Sequence, residues 1–153
     1  MKIIAATEMH MSSVRELFRE YQKWLDIDLC FHGFEEELAM LPGAYASPSG
    51  VILLAREHRG TLGCIAFRPR TRNEAELKRL YVRPTYQGQG IGKQLFHAAM
   101  SEASSIGYES MVLDTFPFMG AARALYKAYG FEKVPGYYHN PEAEVEYYRY
   151  LFE

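Results

Sequence analysis

The sequence predicts an α/β fold in which a mixed central sheet of about seven strands is flanked by about four helices. Short apolar runs, too brief for helices, alternate with longer segments whose apolar residues recur at helical spacing. Three of these runs follow one another between residues 51 and 82, whereas helical segments precede the next two. The sheet is therefore expected to start antiparallel, to finish mixed and to be covered on both faces. With 153 residues, the chain is expected to form one domain.

The first part of the chain is predicted to form one strand and two helices. Residues 2–6 are a short apolar run, and Thr7 can cap the helix that follows. Residues 26–33 break the helical pattern, and residues 34–41 restore it in a shorter helix that Pro42 ends. The apolar stripe of the first helix consists of Val14, Leu17, Phe18, Tyr21 and Leu25.

The middle of the chain is predicted to supply three strands. Residues 51–56 are a continuous apolar run, and residues 62–67 are expected to pair back on it as a hairpin. A third strand is expected over residues 75–82. Helices then end at Gly107 and Gly130, where glycine can form the C-cap. The remaining strands are predicted over residues 110–114, 131–134 and 145–152.

Residues 87–92, called the glycine loop here, carry the strongest functional signal. Gly88, Gly90 and Gly92 remove three Cβ atoms where a helix begins, so the first N–H groups of that helix can face a ligand. These donors and the positive end of the helix dipole favour phosphate or diphosphate. The alternative is a plain connecting turn, which is disfavoured because each glycine destabilises a helix by about 1 kcal/mol relative to alanine.

The spacing of the glycine loop excludes two common nucleotide-binding motifs. A Walker loop has four residues between its first glycine and Gly-Lys, and then Ser or Thr. Here Gly88 and Gly92 have three residues between them, and Gln94 follows Lys93. The dinucleotide pattern G-x-G-x-x-G fails as well, because its third glycine falls on Lys93 when counted from Gly88. Nucleotide hydrolysis is therefore not expected.

The pattern that fits is Q-x-x-G-x-G, formed by Gln87, Gly90 and Gly92. It resembles the acetyl-CoA diphosphate loop of the GNAT superfamily of N-acetyltransferases, whose fold has the element order predicted above. The resemblance covers nearly the whole chain and is strongest over residues 75–131. It implies a GNAT-type fold and transfer of an acetyl group from acetyl-CoA to a primary amine, by direct attack in a ternary complex and without a metal.

The resemblance also implies which residues bind acetyl-CoA. Backbone groups of Leu80, Tyr81 and Val82 are expected to contact the pantetheine arm, and Lys93 either adds charge or is a solvated helix residue. Met119 stands where the family often has an asparagine that binds this arm, so that contact is expected to be lost or made by backbone. The backbone amides expected on the diphosphate are those of Gln87, Gly88, Gln89, Gly90, Ile91 and Gly92.

Two side chains are candidates for the proton transfers. Residues 122–131 resemble the family signature A-x-x-L-Y-x-x-x-G-F, in which the tyrosine, here Tyr126, protonates the CoA thiolate. The alternative is that Tyr126 only packs its ring in the core.

A primary amine with a pKa of about 10.4 must lose a proton before it attacks. Glu76 is the candidate base, because histone-type members of the family have a strand glutamate at this offset. The alternatives are a route through water and backbone, or a solvated glutamate paired with Lys78 or Arg79.

The acceptor is the least specified partner. Its walls are expected to come from residues 29–34 and 137–141, and aromatic side chains there suit a small amine, with a peptide amine as the alternative. The glutamates at 35–37 are interpreted as a solvated helix start. The candidate contacts are Phe31, Phe34, Tyr138 and His139.

Composition narrows the remaining partners and the location. The net charge of −2 provides no basic field for nucleic acid or an anionic membrane. No stretch approaches a membrane span, the N-terminus lacks a signal-peptide core, and Cys30 and Cys64 have no metal-type spacing. We therefore expect a cytoplasmic protein with no metal, and a homodimer is possible.

A second hypothesis is a catalytically silent acyl-CoA-binding or sensing module on the same fold. The presence of both Glu76 and Tyr126 favours the active enzyme. A silent module would bind acetyl-CoA and release no CoA thiol with any amine, so a panel of amines distinguishes the two hypotheses.

Overall fold

The computed structural model of the chain describes residues 1–25, 33–139 and 144–153. Short 3-10 helices at Glu8–His10, Gly43–Tyr45 and Pro84–Tyr86 join some of its main elements. These main elements are, in chain order, β1 (Lys2–Ala5), α1 (Met11–Leu25), α2 (Phe34–Met40), β2 (Val51–Glu57), β3 (Gly60–Pro69), β4 (Glu74–Val82), α3 (Ile91–Ile106), β5 (Ser110–Thr115), α4 (Gly120–Tyr129), β6 (Glu132–Val134) and β7 (Glu146–Leu151).

The seven strands form one sheet in the order β1-β2-β3-β4-β5-β7-β6. β4 and β5 pair in parallel, and every other neighbouring pair is antiparallel. The predicted α/β class, with a mixed sheet of about seven strands and about four helices, is therefore confirmed. Among the helices that the structure describes, none is long and apolar enough to cross a bilayer.

Helices cover both faces of the sheet. The apolar stripe predicted for α1 is buried and packs, together with α2, against Cys64, Ala66 and Tyr81. On the other face, Phe96 of α3 and Tyr126 of α4 belong to a second apolar cluster. Burial raises the pKa of the Cys64 thiol to about 12, as expected for a side chain with no exposed surface.

Several predicted boundaries move by a few residues. Thr7 is the N-cap of the 3-10 helix Glu8–His10 and not of α1, which begins only at Met11. The Thr7 backbone N–H donates to His10 Nδ1 at 2.9 Å. β3 begins at Gly60, two residues before the predicted start, since Gly60 pairs with Glu57 at the turn of the hairpin.

The parallel pairing of β4 and β5 is short, and this opens the sheet at its centre. Glu74–Glu76 pair with Ser110–Val112, after which β4 stays paired with β3 and β5 stays paired with β7. Within the part of the chain that the structure describes, the edge of β4 that faces β5 therefore has no strand partner beyond Glu76. We call this opening the gap between β4 and β5.

A bulge in β4 lies beside this gap. Cys64 pairs with Tyr81 and Ala66 pairs with Lys78, so two residues of β4 lie opposite one residue of β3. One of the two, Arg79, has a φ of 63°, which is unusual for a residue other than glycine. A bulge bends its strand and increases its twist, which suits β4 for turning away from β5.

Candidate active site

A cavity of about 450 Å³ lies between the end of β4, the glycine loop and the start of α4. β4 contributes Leu80 and Val82, α4 contributes Ala121 and Leu125, and α1 contributes Trp24. Eight of the ten residues predicted to bind acetyl-CoA line this cavity: Leu80, Val82, Gln87, Gly88, Gly90, Ile91, Gly92 and Lys93.

The other two predicted residues, Tyr81 and Gln89, do not line the cavity. The ring of Tyr81 packs on the α1 side of the sheet, 5.9 Å from the ring of Tyr21 and 6.0 Å from that of Trp24. Its side chain therefore belongs to the core, and only its backbone is available for the contact that was predicted.

The backbone conformation of the glycine loop explains two of its glycines. Gly88 and Gly90 have φ values of 82° and 80°, in the left-handed region that favours glycine. A Cβ built at either position would meet no atom within 4 Å, so conformation and not lack of space requires glycine there. Gly90 is the N-cap of α3.

The amides of residues 88–93 donate no hydrogen bond to any described residue. The amide of Gln87, which was also predicted to bind the diphosphate, donates instead to the Pro84 carbonyl at 3.2 Å. The Gln87 side chain donates to the Val82 carbonyl at 2.8 Å and so holds the loop against the end of β4. The loop thus presents a row of unpaired donors at the cavity, next to the N-terminus of α3.

Tyr126 lies beside this cavity but does not line it. It lines a smaller cavity of about 30 Å³, which shares Leu80 and Met119 with the larger one. Its ring packs 5.5 Å from that of Phe96 and 5.9 Å from that of Phe131, and its hydroxyl donates to no described residue. Burial raises the pKa of Tyr126, so the hydroxyl stays protonated and can act as a proton donor.

Met119 is the residue at which the cavities meet. It lines the 450 Å³ cavity, the 30 Å³ cavity and a third cavity of about 20 Å³ beside the gap. Its sulfur accepts a hydrogen bond from Thr115 Oγ1 at 3.6 Å, and its carbonyl accepts one from the Arg123 amide at 2.9 Å. The side chain therefore gives this junction an apolar surface, in place of the amide that asparagine would supply.

Glu76 lies near the gap but lines none of these three cavities. Only 5% exposed, it accepts hydrogen bonds from Arg68 Nε at 3.0 Å and from the Tyr137 hydroxyl at 2.7 Å. Burial alone would raise the pKa of Glu76, but the charge of Lys78, the Tyr137 hydrogen bond and the charge of Arg68 hold it below its usual value. The alternative of a solvated Glu76 is therefore wrong, although the pairing with Lys78 that it included is present at 3.8 Å.

Glu37 is a second buried carboxylate close to Arg68, and the sequence did not reveal it. Arg79 donates to its two carboxylate oxygens at 3.1 and 3.0 Å, and the Tyr45 hydroxyl donates to it at 3.1 Å. The Glu37 side chain is only 11% exposed, so the predicted solvated helix start is wrong at this position. The buried charge cluster, as we name it, consists of Glu37, Arg68, Glu76, Lys78, Arg79 and Asp114.

Lys78 and Asp114 were also missed by sequence reasoning. Both line the small cavities at the gap, Lys78 from β4 and Asp114 from β5. Asp114 accepts a hydrogen bond from the Tyr138 hydroxyl. Sequence reasoning could not single them out, because β4 carries four charged residues (Glu74, Glu76, Lys78 and Arg79) and the gap between the two strands is a tertiary feature.

The predicted acceptor residues are placed in different surroundings. The Tyr138 hydroxyl donates a hydrogen bond to Asp114, which places Tyr138 beside the gap. His139 is exposed. Phe34 has no exposed surface, lies 5.3 Å from the Arg79 guanidinium and belongs to the core rather than to a cavity wall. Phe31 lies outside the described residues. Among the residues described, no group of His, Cys, Asp or Glu side chains could hold a metal ion.

Comparisons with known proteins identify the family of the chain. Residues 48–133 match the family described as an acetyltransferase (GNAT) domain. An uncharacterised N-acetyltransferase of Schizosaccharomyces pombe is 39% identical over 141 residues, which are 91% of this chain and 86% of the relative.

Solved structures share the fold. A GNAT family acetyltransferase of Staphylococcus aureus has a TM-score of 0.82 at 19% identity and covers 99% of both chains. An acetyl-CoA-bound GNAT family acetyltransferase of Elizabethkingia anophelis has a TM-score of 0.58 at 24% identity, over 68% of this chain and 77% of the other. Because residues 48–133 match the family and the S. pombe relative is 39% identical, the chain belongs to the GNAT superfamily and is an N-acetyltransferase.

Proposed function

We propose that the protein transfers the acetyl group of acetyl-CoA to the primary amine of a small molecule, by direct attack of the amine on the thioester in a ternary complex. The observation that carries this proposal is the course of the cavity. It runs from the unpaired amides of residues 88–93 to Leu80 and Met119, beside Tyr126 and the gap between β4 and β5. The acetyltransferase of E. anophelis holds acetyl-CoA on the same fold.

The residues at the two ends of the cavity fit the two ends of acetyl-CoA. The unpaired amides and the positive end of the α3 dipole suit a diphosphate, and Lys93 adds a positive charge at the same end. The unpaired edge of β4 at Leu80 and Val82 offers backbone donors and acceptors to the amide groups of a pantetheine arm. The thioester would then lie next to Tyr126.

The chemistry asked of the chain is limited to positioning and two proton transfers. The amine nitrogen forms a bond to the thioester carbon, and the carbon–sulfur bond breaks when the resulting tetrahedral intermediate collapses. Tyr126 donates its proton to the sulfur that leaves, because burial keeps its hydroxyl protonated at neutral pH. Holding both reactants in one cavity lowers the entropic part of the barrier.

Glu76 is proposed as the group that finally receives the proton of the amine. Since it lines none of the three cavities and already accepts two hydrogen bonds, the proton must reach it through water. We expect Glu76→Gln to lower kcat at least tenfold with little change in acetyl-CoA affinity. An unchanged kcat would instead assign this step to water and backbone without Glu76.

The test of the proposed function is release of CoA thiol from acetyl-CoA in the presence of a panel of primary amines. We expect at least one amine to give continuous release above the rate without amine. If acetyl-CoA binds and no amine promotes release, the protein is a silent acyl-CoA-binding module. Trp24 is the single tryptophan of the chain and lines the cavity, so its fluorescence reports acetyl-CoA binding independently of turnover.

A further inference from the structure

Lys78 is a buried ammonium group that the chemistry above does not use. Its side chain is 3% exposed, and its Nζ makes no hydrogen bond to any described residue. The carboxylate oxygen Glu76 Oε2 lies 3.8 Å from this nitrogen. Because the Lys78 side chain lines two small cavities and its ammonium group has no hydrogen-bond partner among the described residues, a ligand in these cavities can supply an acceptor.

The other members of the buried charge cluster already have hydrogen-bond partners. Arg79 is bound to both oxygens of Glu37, and Arg68 donates to Glu76. Of the three cations in the cluster, Lys78 is the one without a hydrogen bond in the described part of the chain. Burial lowers the pKa of Lys78, and the charges of Asp114 and Glu76 oppose that change.

Lys78 lines one of the small cavities together with Tyr126, the proposed proton donor. It lines both small cavities, of about 20 and 30 Å³, and Asp114 lines both from the opposite strand. Tyr126 lines the second of them. The gap between β4 and β5 thus has a positive wall and a negative wall, and the cavities have room only for groups of a few atoms.

The charges of the cluster favour a ligand that carries both signs. Three cations and three carboxylates balance one another, so a simple ammonium ligand would bring an unbalanced charge into a buried site. A ligand with one ammonium and one carboxylate group adds no net charge. It also supplies an acceptor to the Lys78 ammonium group, which has none among the described residues.

We propose that Lys78 binds a carboxylate of the acceptor, and that the acceptor is therefore an amino acid or another small aminocarboxylic acid whose ammonium group lies toward Asp114. This substrate class rests on the proposed function. The carboxylate and the amine must be close together, because Lys78 and Asp114 line the same small cavities.

The test compares matched acceptors that differ only at the carboxylate. Phenylalanine, phenylalaninamide and phenethylamine, and the corresponding set built on alanine, are assayed for CoA release with wild type, Lys78→Met and Lys78→Arg. We expect wild type to prefer the acid over its amide at least tenfold in kcat/KM, through KM. Lys78→Met should reduce that preference at least tenfold, and Lys78→Arg should restore part of it. The KM for acetyl-CoA should not move.

Two outcomes would overturn the proposal. The first is a wild type that uses the amide as well as the acid. The second is a Lys78→Met variant whose kcat falls equally with every acceptor, because Lys78 would then act on the thioester oxygen and not on a carboxylate. Lys2→Met, on the exposed edge strand β1, is the matched lysine control and should keep the wild-type preference.

A binding experiment separates this proposal from the proposed function. If no amine releases CoA, the proposed function fails, and calorimetry on the CoA-loaded protein still measures the binding of each acid and its amide. Tighter binding of the acid that is lost in Lys78→Met supports the proposal, and equal or absent binding overturns it. Circular dichroism melting shows whether the variant folds, and Lys78→Gln replaces it where Met does not.

Discussion

The most specific prediction at the residue scale concerns the hydroxyl of Tyr126. We expect Tyr126→Phe to lower turnover at least tenfold at neutral pH with little change in acetyl-CoA affinity, because only the proton donor is removed. CoA release gives turnover, and Trp24 fluorescence gives affinity. Tyr129→Phe is the matched control, since Tyr129 lies on the same helix, half-buried against Phe96 and Tyr150. An unchanged rate in Tyr126→Phe would remove its role as the acid.

A second prediction at the residue scale concerns Gly90. Alanine at a φ of 80° is strained by about 1 kcal/mol, and relief of that strain would move the amides of the glycine loop. We therefore expect Gly90→Ala to weaken acetyl-CoA binding at least tenfold, as measured by Trp24 fluorescence. Gly107→Ala, at a φ of 107° on the opposite end of α3, should lose similar stability and keep its affinity. Equal affinities in the two variants would contradict the role given to the loop.

Glu74 connects three strands at the closed end of the sheet. Its carboxylate, on β4, accepts hydrogen bonds from Arg149 of β7 at 2.8 Å, from Ser110 of β5 at 2.7 Å and from Arg70 at 2.8 Å. Burial opposes its ionisation, but these hydrogen bonds outweigh burial and lower the pKa from 4.5 to about 2. Because β4 and β5 separate only two residues later, this contact holds them together where they still pair.

The lowered pKa of Glu74 predicts how stability depends on pH. A carboxylate with a lower pKa in the folded state stabilises the protein above its unfolded pKa, near 4.5, and loses that effect as the pH falls toward 2. We expect Glu74→Gln to reduce the free energy of unfolding by about 3 kcal/mol at pH 7 and by less than half of that at pH 3. Urea unfolding at both pH values measures this. A difference that does not shrink at pH 3 would contradict the assignment.

At the element scale, the helices and strands could be predicted because each carries its own pattern. All five residues of the predicted α1 stripe are buried, and the continuous apolar run at the start of β2 lies inside the sheet. The bulge at Arg79 could not be predicted, since it depends on how β4 registers with β3. For the same reason, the pairing of Arg79 with Glu37, 42 residues away, left no local signal.

At the scale of the whole molecule, the site divides into a part that local sequence encodes and a part that the fold creates. The glycine loop and the segment containing Tyr126 each have a recognisable pattern, and the fold brings both to neighbouring cavities that share Leu80 and Met119. The acceptor side has no such pattern, because Lys78, Asp114 and Tyr138 meet only where β4 and β5 separate. The cytoplasmic location and the homodimer remain predictions.

The central claim is that the amides of the glycine loop hold the diphosphate of acetyl-CoA and direct its thioester to the gap between β4 and β5. A crystal structure of the protein with acetyl-CoA tests this most directly. We predict diphosphate oxygens about 3 Å from backbone nitrogens of residues 88–93 and the thioester sulfur within reach of the Tyr126 hydroxyl. A diphosphate bound elsewhere, with those amides contacting only solvent or protein, would contradict the claim.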